Sequence, residues 1–505
     1  MSQLTGSSQA ISLGQGYAIR SPGIRGTADL VIPRSAADRS RSRLPEDGTQ
    51  ALDTALAATN VTEVRTVELR LVSTSPLDAA RALRGMDGEE TVELEVPDLG
   101  PEAGQVVLSC DETGVLRWHL PVDERLRLQS AVTRGAGGVK RFRIPASQPR
   151  PASATDPAKR SLLGVIGRKL LKILVYPITD PVIGAISESF AERWEDKYRP
   201  YGLRSFAPEG RRTANVGALI PADWDRLRDG RALLFIHGTF STSHAAFAQI
   251  PDATFATLYE RYHGRVFAFD HFTMSHDPKR NAEWLLSHLP QGRSLEIDIV
   301  CHSRGGLVAR TLAESPSAFG LDCKNISVRR VVFVAAPNHG TALANADHMV
   351  RMVDRLTTSL NLFSSGPVSE TLEALITVVK VIGHGALKGL DGLAAMRPNG
   401  EFLQALNQGG QACDSYHAVA CDYQPTNEGL RALLTGAANA VVDRVFEKVP
   451  NDLVVPEAGV YEENGCMTFP IPEMRLLKVP SSAGVIHTTV FGYPPLSGKI
   501  TEWLT

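Results

Sequence analysis

The chain lacks several features that would place it quickly. Nowhere does an apolar run approach the roughly 20 residues needed to cross a bilayer. Its formal net charge is only −2 across 505 residues, so no excess of one sign draws it toward nucleic acid or an anionic surface. The opening MSQLTGSSQAISLGQG has no basic start followed by an apolar core, the mark of a secretory leader. The six cysteines, Cys110, Cys301, Cys323, Cys413, Cys421 and Cys466, are scattered with no C-x-x-C pair. Neither a zinc ribbon nor a disulfide framework is suggested, and a cytoplasmic location is the default expectation. There are no internal repeats.

What remains is ordinary globular composition, 43% hydrophobic and 21% charged, over a length that suggests two to four domains. Residues 1–55 are rich in Ser, Gly, Arg and Pro and read as a disordered or loosely packed lead-in. Over 56–148 the period becomes two. Val67, Leu69 and Leu71 alternate with Glu68 and Arg70, and Val92, Leu94 and Val96 with Glu93 and Glu95. Short strands separated by turn residues predict a small all-β, sandwich-like domain. It is a candidate docking module for a protein partner, although no aromatic or basic cluster says which. Residues 149–229 read as a linker followed by an amphipathic helix. Leu163, Ile166, Leu170, Ile173 and Leu174 share a helical face, flanked by Lys159, Arg160, Arg168, Lys169 and Lys172. A cationic helix over 159–175 could touch a membrane surface; the plainer reading is that it packs against the next domain.

From 230 to 505 strands and helices alternate, which predicts a mostly parallel sheet covered on both faces. "RALLFIHG", "GRVFAFD", "SLEIDIV", "RRVVFVAA", "SYHAVACDY" and "MRLLKV" are the strands. Asp277-Pro278 reads as an N-cap and first helical residue, a helix is expected near 427–447, and a last helix begins near Ser497. Residues 345–408 interrupt the alternation with helical stripes and read as a helical insertion, either a lid or a fixed cap.

The chemistry centres on Cys301-His302-Ser303-Arg304-Gly305-Gly306. A buried strand ends, a serine follows, and a helix begins: the context of a nucleophile elbow. The turn is sharp, so its flanking positions must be small. Gly305 meets this need, and Cys301 stands where a glycine is usual. A serine hydroxyl needs a base to take its proton. His487 lies in a loop between the last strand and last helix, and Asp452 in "NDLVVP" would orient it. Asp422, directly after strand "HAVACDY", is the alternative acid. The oxyanion donors would be the backbone of Arg304 and of Thr239 or Phe240, in the loop His237-Gly238-Thr239-Phe240. His237 would buttress that loop and Gly238 let it come close. His302 reads as a packing and hydrogen-bonding residue. Arg304's side chain reads as solvated, or less often as a holder of an anionic head group. His271 and His339 are isolated and read as structural, so no metal is expected.

"FIHGTF", "CHSRGGLVAR", "VVFVAAPNHGTALA", "NDLVVP" and "HTTVF", in that order, resemble the α/β-hydrolase superfamily and its lipase-like branch, close to a bacterial serine hydrolase family. "PNGEFLQALNQ" (398–408) resembles the end of such lipases' helical insertion. The resemblance spans about 230–505. It implies a three-layer α/β-hydrolase fold with a helical lid insertion, preceded by the small β-domain. It also implies acyl-ester or amide hydrolysis through an acyl-enzyme on Ser303, without naming a substrate. A small-molecule or lipid ester is favoured because the helical insertion offers an apolar cover suited to acyl chains, and no cofactor or nucleic acid is expected. A non-catalytic scaffold on the same fold, an acyltransferase and a peptidase are the rival readings.

Overall fold

A computed structural model of the chain describes residues 1–32, 46–72, 91–111, 114–122, 138–146, 165–178, 183–214, 216–290, 294–344, 348–362, 368–383, 389–408, 415–423, 450–462 and 469–504. The helix expected near 427–447, Cys413 and Cys466 lie outside these residues. Two compact units are present. One comprises Met1–Ser187, Val353–Leu387 and Asn427–Val441; the other comprises Glu188–Met352, Lys388–Thr426 and Val442–Thr505.

The first unit contains two sheets. β1 (Ser2–Thr5), β4 (Arg25–Val31), β5 (Thr62–Val72), β10 (Val165–Pro177), β7 (Ala103–Asp111) and β8 (Leu116–His119) pair in that order; β2 (Ile11–Gly14), β3 (Tyr17–Arg20), β6 (Thr91–Pro97) and β9 (Val139–Pro145) form the other sheet. The pairings recorded in both are antiparallel. Their inward residues, among them Leu4, Ile19, Val67, Leu69, Leu94, Phe142, Leu171 and Ile173, make one core, as alternation requires of stacked sheets.

Three expectations are corrected here. Residues 2–31 are four strands, not a loose lead-in. They are short and polar on one face, so composition hides them, yet Leu4, Ile19, Ile24 and Ala28 are buried. The amphipathic helix expected over 159–175 is instead β10 from Val165 onward, lying between β5 and β7. Leu171, Ile173, Leu174 and Tyr176 are all buried, and a strand covered on both faces cannot be told from a helix by periodicity. Its cations are engaged: Arg168 pairs with Glu68 at 2.8 Å, Lys172 with Glu63 at 3.1 Å, and Lys169 donates to the Pro145 carbonyl. From Val165 onward these cations lie on a strand rather than on a helical face; Lys159, Arg160 and Leu163 lie outside the described residues.

The third correction concerns 345–408. The helix Met349–Leu362 from Val353 onward, and the whole of helix Val368–Gly383, belong to the β-sheet unit. Trp118 of β8 donates its backbone N–H to Asp354 at 2.7 Å and its indole N–H to Thr357 at 3.2 Å. Lys380 donates to the Thr59 carbonyl, and helix Glu46–Ala58 packs on helix Val368–Gly383. Helical periodicity shows that these segments are amphipathic but not which surface they cover.

The second unit is a seven-stranded sheet: β11 (Gly202–Ser205), β13 (Val266–Asp270), β12 (Ala232–Ile236), β14 (Leu295–His302), β15 (Ile326–Val334), β16 (Ser415–Cys421) and β17 (Leu476–Val479), in spatial order. Only β11 runs antiparallel. All five residues of β12 are buried, as expected of a parallel strand covered on both faces. Phe206, Phe235, Phe247 and Phe255 pack with Phe491 and Trp503 in the core on one side. The segment 183–229 is more than a linker: it carries helix Ile183–Tyr198, β11 and helix Pro221–Arg228. Asp277 caps helix Pro278–His288, its side chain accepting from Arg280 N–H at 2.8 Å. The final helix is Pro494–Trp503. No helix among the described residues is long and apolar enough to cross a membrane.

Candidate active site

Because β12 and β14 are parallel neighbours, the loops that leave them emerge at one edge, where open α/β sheets hold ligands. β14 ends at His302, Ser303 follows, and helix Gly305–Glu314 begins two residues on. Ser303 has φ +53°, a left-handed conformation that a serine adopts only when its surroundings impose it. They do so here. Ser303 N–H donates to the Val334 carbonyl at 2.9 Å, and Gly306 N–H to the Ser303 carbonyl at 2.9 Å. A Cβ on Gly305 would lie 2.5 Å from the Ile236 and His237 carbonyl oxygens, so only glycine fits. Cys301 is fully buried, with its thiol 3.4 Å from the Val332 carbonyl.

The loop after β12 lies against this serine. A Cβ on Gly238 would meet Ser303 Cβ at 2.5 Å and Oγ at 3.2 Å. The His237 ring is buried between two fixed partners. Its Nε2 accepts from His271 N–H at 3.2 Å, which leaves Nδ1–H to donate to the Gly238 carbonyl at 3.0 Å. Burial holds this imidazole neutral by lowering its pKa. Phe240 adopts φ +62° and donates its N–H to Thr273 Oγ1 at 3.2 Å. Among the described residues, the backbone N–H groups of Thr239 and Arg304 meet no acceptor. The Thr239 hydroxyl lies 3.8 Å from the Met396 sulfur.

On the far side of β14, Asp452 and His487 are joined. His487 Nδ1 and Asp452 Oδ2 are 2.7 Å apart, with both residues buried. The other carboxylate oxygen, Oδ1, accepts from Val454 N–H at 3.0 Å and Val455 N–H at 2.7 Å. With the carboxylate accepting on both oxygens, the histidine proton sits on Nδ1 and Nε2 is left with its lone pair. His487 N–H donates to the Asp452 carbonyl at 3.1 Å. His302, adjacent to Ser303, donates from Nε2 to the His487 carbonyl at 3.0 Å, and the two rings are 4.9 Å apart. Burial pushes the His302 pKa down to about 3, so it acts as a fixed neutral donor. Among the described residues no hydrogen bond joins Ser303 Oγ to His487. Asp422 does not reach His487; its N–H donates to Val479 in the sheet pattern, and burial raises its carboxyl pKa.

Arg304 departs from both readings of its side chain. It is fully buried, donating from Nε to the Gly392 carbonyl at 2.7 Å and from Nη2 to Asn281 Oδ1 at 3.0 Å and to the His276 carbonyl. Burial lowers its pKa to about 10. His339 N–H donates to the Gly459 carbonyl, and the His271 ring stacks on that of His237 at 4.2 Å. Among the described residues, no group of three or more His, Cys, Asp or Glu is placed to hold a metal ion. Sequence reasoning missed Glu195, Thr273 and Asn281. Glu195 lies in a helix of alternating charges where a lone carboxylate looks solvated, and no local pattern announces a partner 78 residues away.

Fold and site together define a doubly wound α/β protein with a strained serine and a histidine–aspartate pair along the carboxyl edge of its parallel sheet. The chain belongs to the family described as Domain of unknown function (DUF7379), whose model matches residues 198–505. Among curated proteins, none matches. Of solved structures, the chain is similar to one from work on carboxylesterases of the thaumarchaeon Nitrososphaera gargenis, at 15% identity over 55% of this chain and 90% of that one, TM-score 0.32. It is likewise similar to lipase 1 from Pelosinus fermentans, at 12% identity over 54% and 98%, TM-score 0.32. A third is Staphylococcus hyicus lipase, at 12% identity over 54% and 93%, TM-score 0.32.

Proposed function

We propose that the protein is a serine hydrolase of α/β-hydrolase type that cleaves a carboxylic ester through an acyl-enzyme on Ser303. The observation that carries this reading is the buried Asp452–His487 pair at 2.7 Å, anchored by His302, the residue beside a serine held at φ +53°. A conformation of that kind is maintained at a cost and collects at functional sites.

In the proposed reaction, His487 Nε2 takes the Ser303 hydroxyl proton as Oγ attacks the acyl carbon. The tetrahedral oxyanion is held by the N–H groups of Thr239 and Arg304, which meet no acceptor among the described residues; that of Phe240 is engaged by Thr273. The C–O bond to the leaving alcohol breaks, and His487 returns the proton to it. Water then attacks the acyl-enzyme with His487 again as base, releasing the carboxylic acid and Ser303. Asp452 keeps the imidazole in its Nδ1–H form and stabilises its cation. The helices within 353–383 no longer argue for an apolar acyl chain. What supports one is Met396 beside the oxyanion loop, with Leu390 and Leu393 buried in the same segment.

Active-site labelling with a fluorophosphonate tests the reading. Wild type is expected to label, and Ser303→Ala and His487→Ala are not. A folded wild type that neither labels nor hydrolyses a panel of p-nitrophenyl esters overturns it.

A further inference from the structure

Glu195 lies near the end of helix Ile183–Tyr198 and is 1% exposed. Its carboxylate accepts five hydrogen bonds from three consecutive residues of the loop after β13. Oε1 accepts from Thr273 N–H at 2.5 Å, Thr273 Oγ1 at 3.3 Å and Met274 N–H at 2.9 Å. Oε2 accepts from Ser275 N–H at 2.9 Å and Ser275 Oγ at 2.6 Å. A carboxylate with donors on both oxygens fixes three backbone amides at once.

The bond pattern has a direction. A carboxylate only accepts, so the Thr273 hydroxyl gives its proton to Glu195 and turns a lone pair outward. That lone pair receives Phe240 N–H at 3.2 Å. Charge at Glu195 strengthens the hydroxyl as an acceptor through this chain. Phe240 is a bulky residue at φ +62°, a conformation that reverts unless something restrains it. Its N–H lies on the peptide plane shared with Thr239, so fixing it leaves only the two backbone torsions of Thr239 between that plane and the Thr239 N–H. The same loop carries the second donor's support. The His276 carbonyl accepts from Arg304, and the Met274 carbonyl accepts from Gly392 N–H at 2.9 Å while Gly392's own carbonyl accepts from Arg304.

We infer that Glu195, acting through the Thr273 hydroxyl, is a positioning residue for the oxyanion hole: it holds the strained Thr239-Phe240 turn in the geometry that receives transition-state charge. This rests on the hydrolase reading above. Neither side chain touches substrate. Their loss is therefore expected in the step that develops negative charge on oxygen rather than in substrate binding.

The test compares Thr273→Val, Thr273→Ser and Glu195→Gln with wild type on a p-nitrophenyl ester, together with inhibition by a trifluoromethyl ketone, which forms a tetrahedral oxyanion on the serine. Thr273→Val keeps the shape and removes the acceptor. It is expected to lower kcat about 10- to 100-fold, less than deleting a donor outright, to leave KM within about twofold, and to weaken the ketone by the same factor as kcat. Thr273→Ser restores the hydroxyl and is expected within about threefold of wild type. Glu195→Gln follows Thr273→Val where it folds; the threonine pair decides the matter if it does not. An active wild type with an equally active Thr273→Val, or a Thr273→Val that loses KM rather than ketone affinity, overturns the inference alone. A wild type that neither labels at Ser303 nor turns over overturns the hydrolase reading, and this inference falls with it.

Discussion

The guanidinium of Arg304, the residue after Ser303, donates from Nε to the Gly392 carbonyl at 2.7 Å inside a fully buried environment. The side chain ties the elbow to the short helix Asp391–Ala394 and, through Asn281 and His276, to the helix Pro278–His288 and the loop before it. Replacing Arg304 by Met keeps much of the volume and strands three buried acceptors. The expected loss is about 3 kcal/mol or more of unfolding free energy, measured as a shift in the urea midpoint. An unchanged midpoint would show that these bonds contribute nothing net.

Asp452→Asn retains the shape but lets the side-chain amide donate to His487 Nδ1, which selects the wrong tautomer. The rate of fluorophosphonate labelling is expected to fall about 10³- to 10⁴-fold, with stability altered little. Asp422→Asn is expected within about twofold of wild type, since Asp422 does not reach the histidine. The reverse ranking would transfer the role to Asp422.

Gly305→Ala and Gly238→Ala separate folding from reactivity. A methyl at 305 meets two strand carbonyls at 2.5 Å, backbone that cannot move aside, and is expected to lower the melting temperature by more than about 5 °C. A methyl at 238 meets Ser303 Cβ at the same distance, but in a loop that can shift. Labelling is expected to collapse there with a smaller thermal change. Equal thermal losses at the two sites would contradict this division.

Buried neutral histidines predict weakness to acid. Burial lowers the pKa of His119 and His302 from 6.5 to about 3, and of His417 to about 4. Between those values and 6.5 the unfolded chain holds more protons than the fold. Their contribution is therefore fully present above pH 6.5 and is lost as pH falls toward 3. His119 and His302 each account for roughly 2 to 3 kcal/mol by pH 4.5, and the less enclosed His417 for less. Urea unfolding between pH 7 and pH 4 measures the slope. His417→Phe, which keeps an aromatic ring against Trp503, is expected to remove about one proton from it.

The parallel sheet and the elbow were legible because chemistry there is local. Continuous apolar strands, Asp277-Pro278 and the glycine two residues after Ser303 each announce themselves within a few positions. The order serine, aspartate, histidine placed Asp452 and His487 in reach of each other, and the structure joins them. Other features were not legible because they depend on what lies across the fold. β10 is apolar on both faces, which removes the alternation that marks a strand. The helices around Asp354 and Lys380 show an apolar stripe and no sign of the surface it meets. Arg304 reads as a solvated charge, and Glu195 draws no reading at all, because their partners lie dozens of residues away in the sequence.

The allegiance of Val353–Leu387 to the β-sheet unit has a consequence for how the protein can be cut and made. Removing residues 1–187 would not liberate the other unit cleanly: Leu372, Leu375, Ile376 and Val379 would be left facing water on the orphaned helix Val368–Gly383, a surface prone to association. During synthesis the N-terminal sheets likewise wait for Lys380 to leave the ribosome before Thr59 finds its partner. By then Ser303 and its elbow have already emerged.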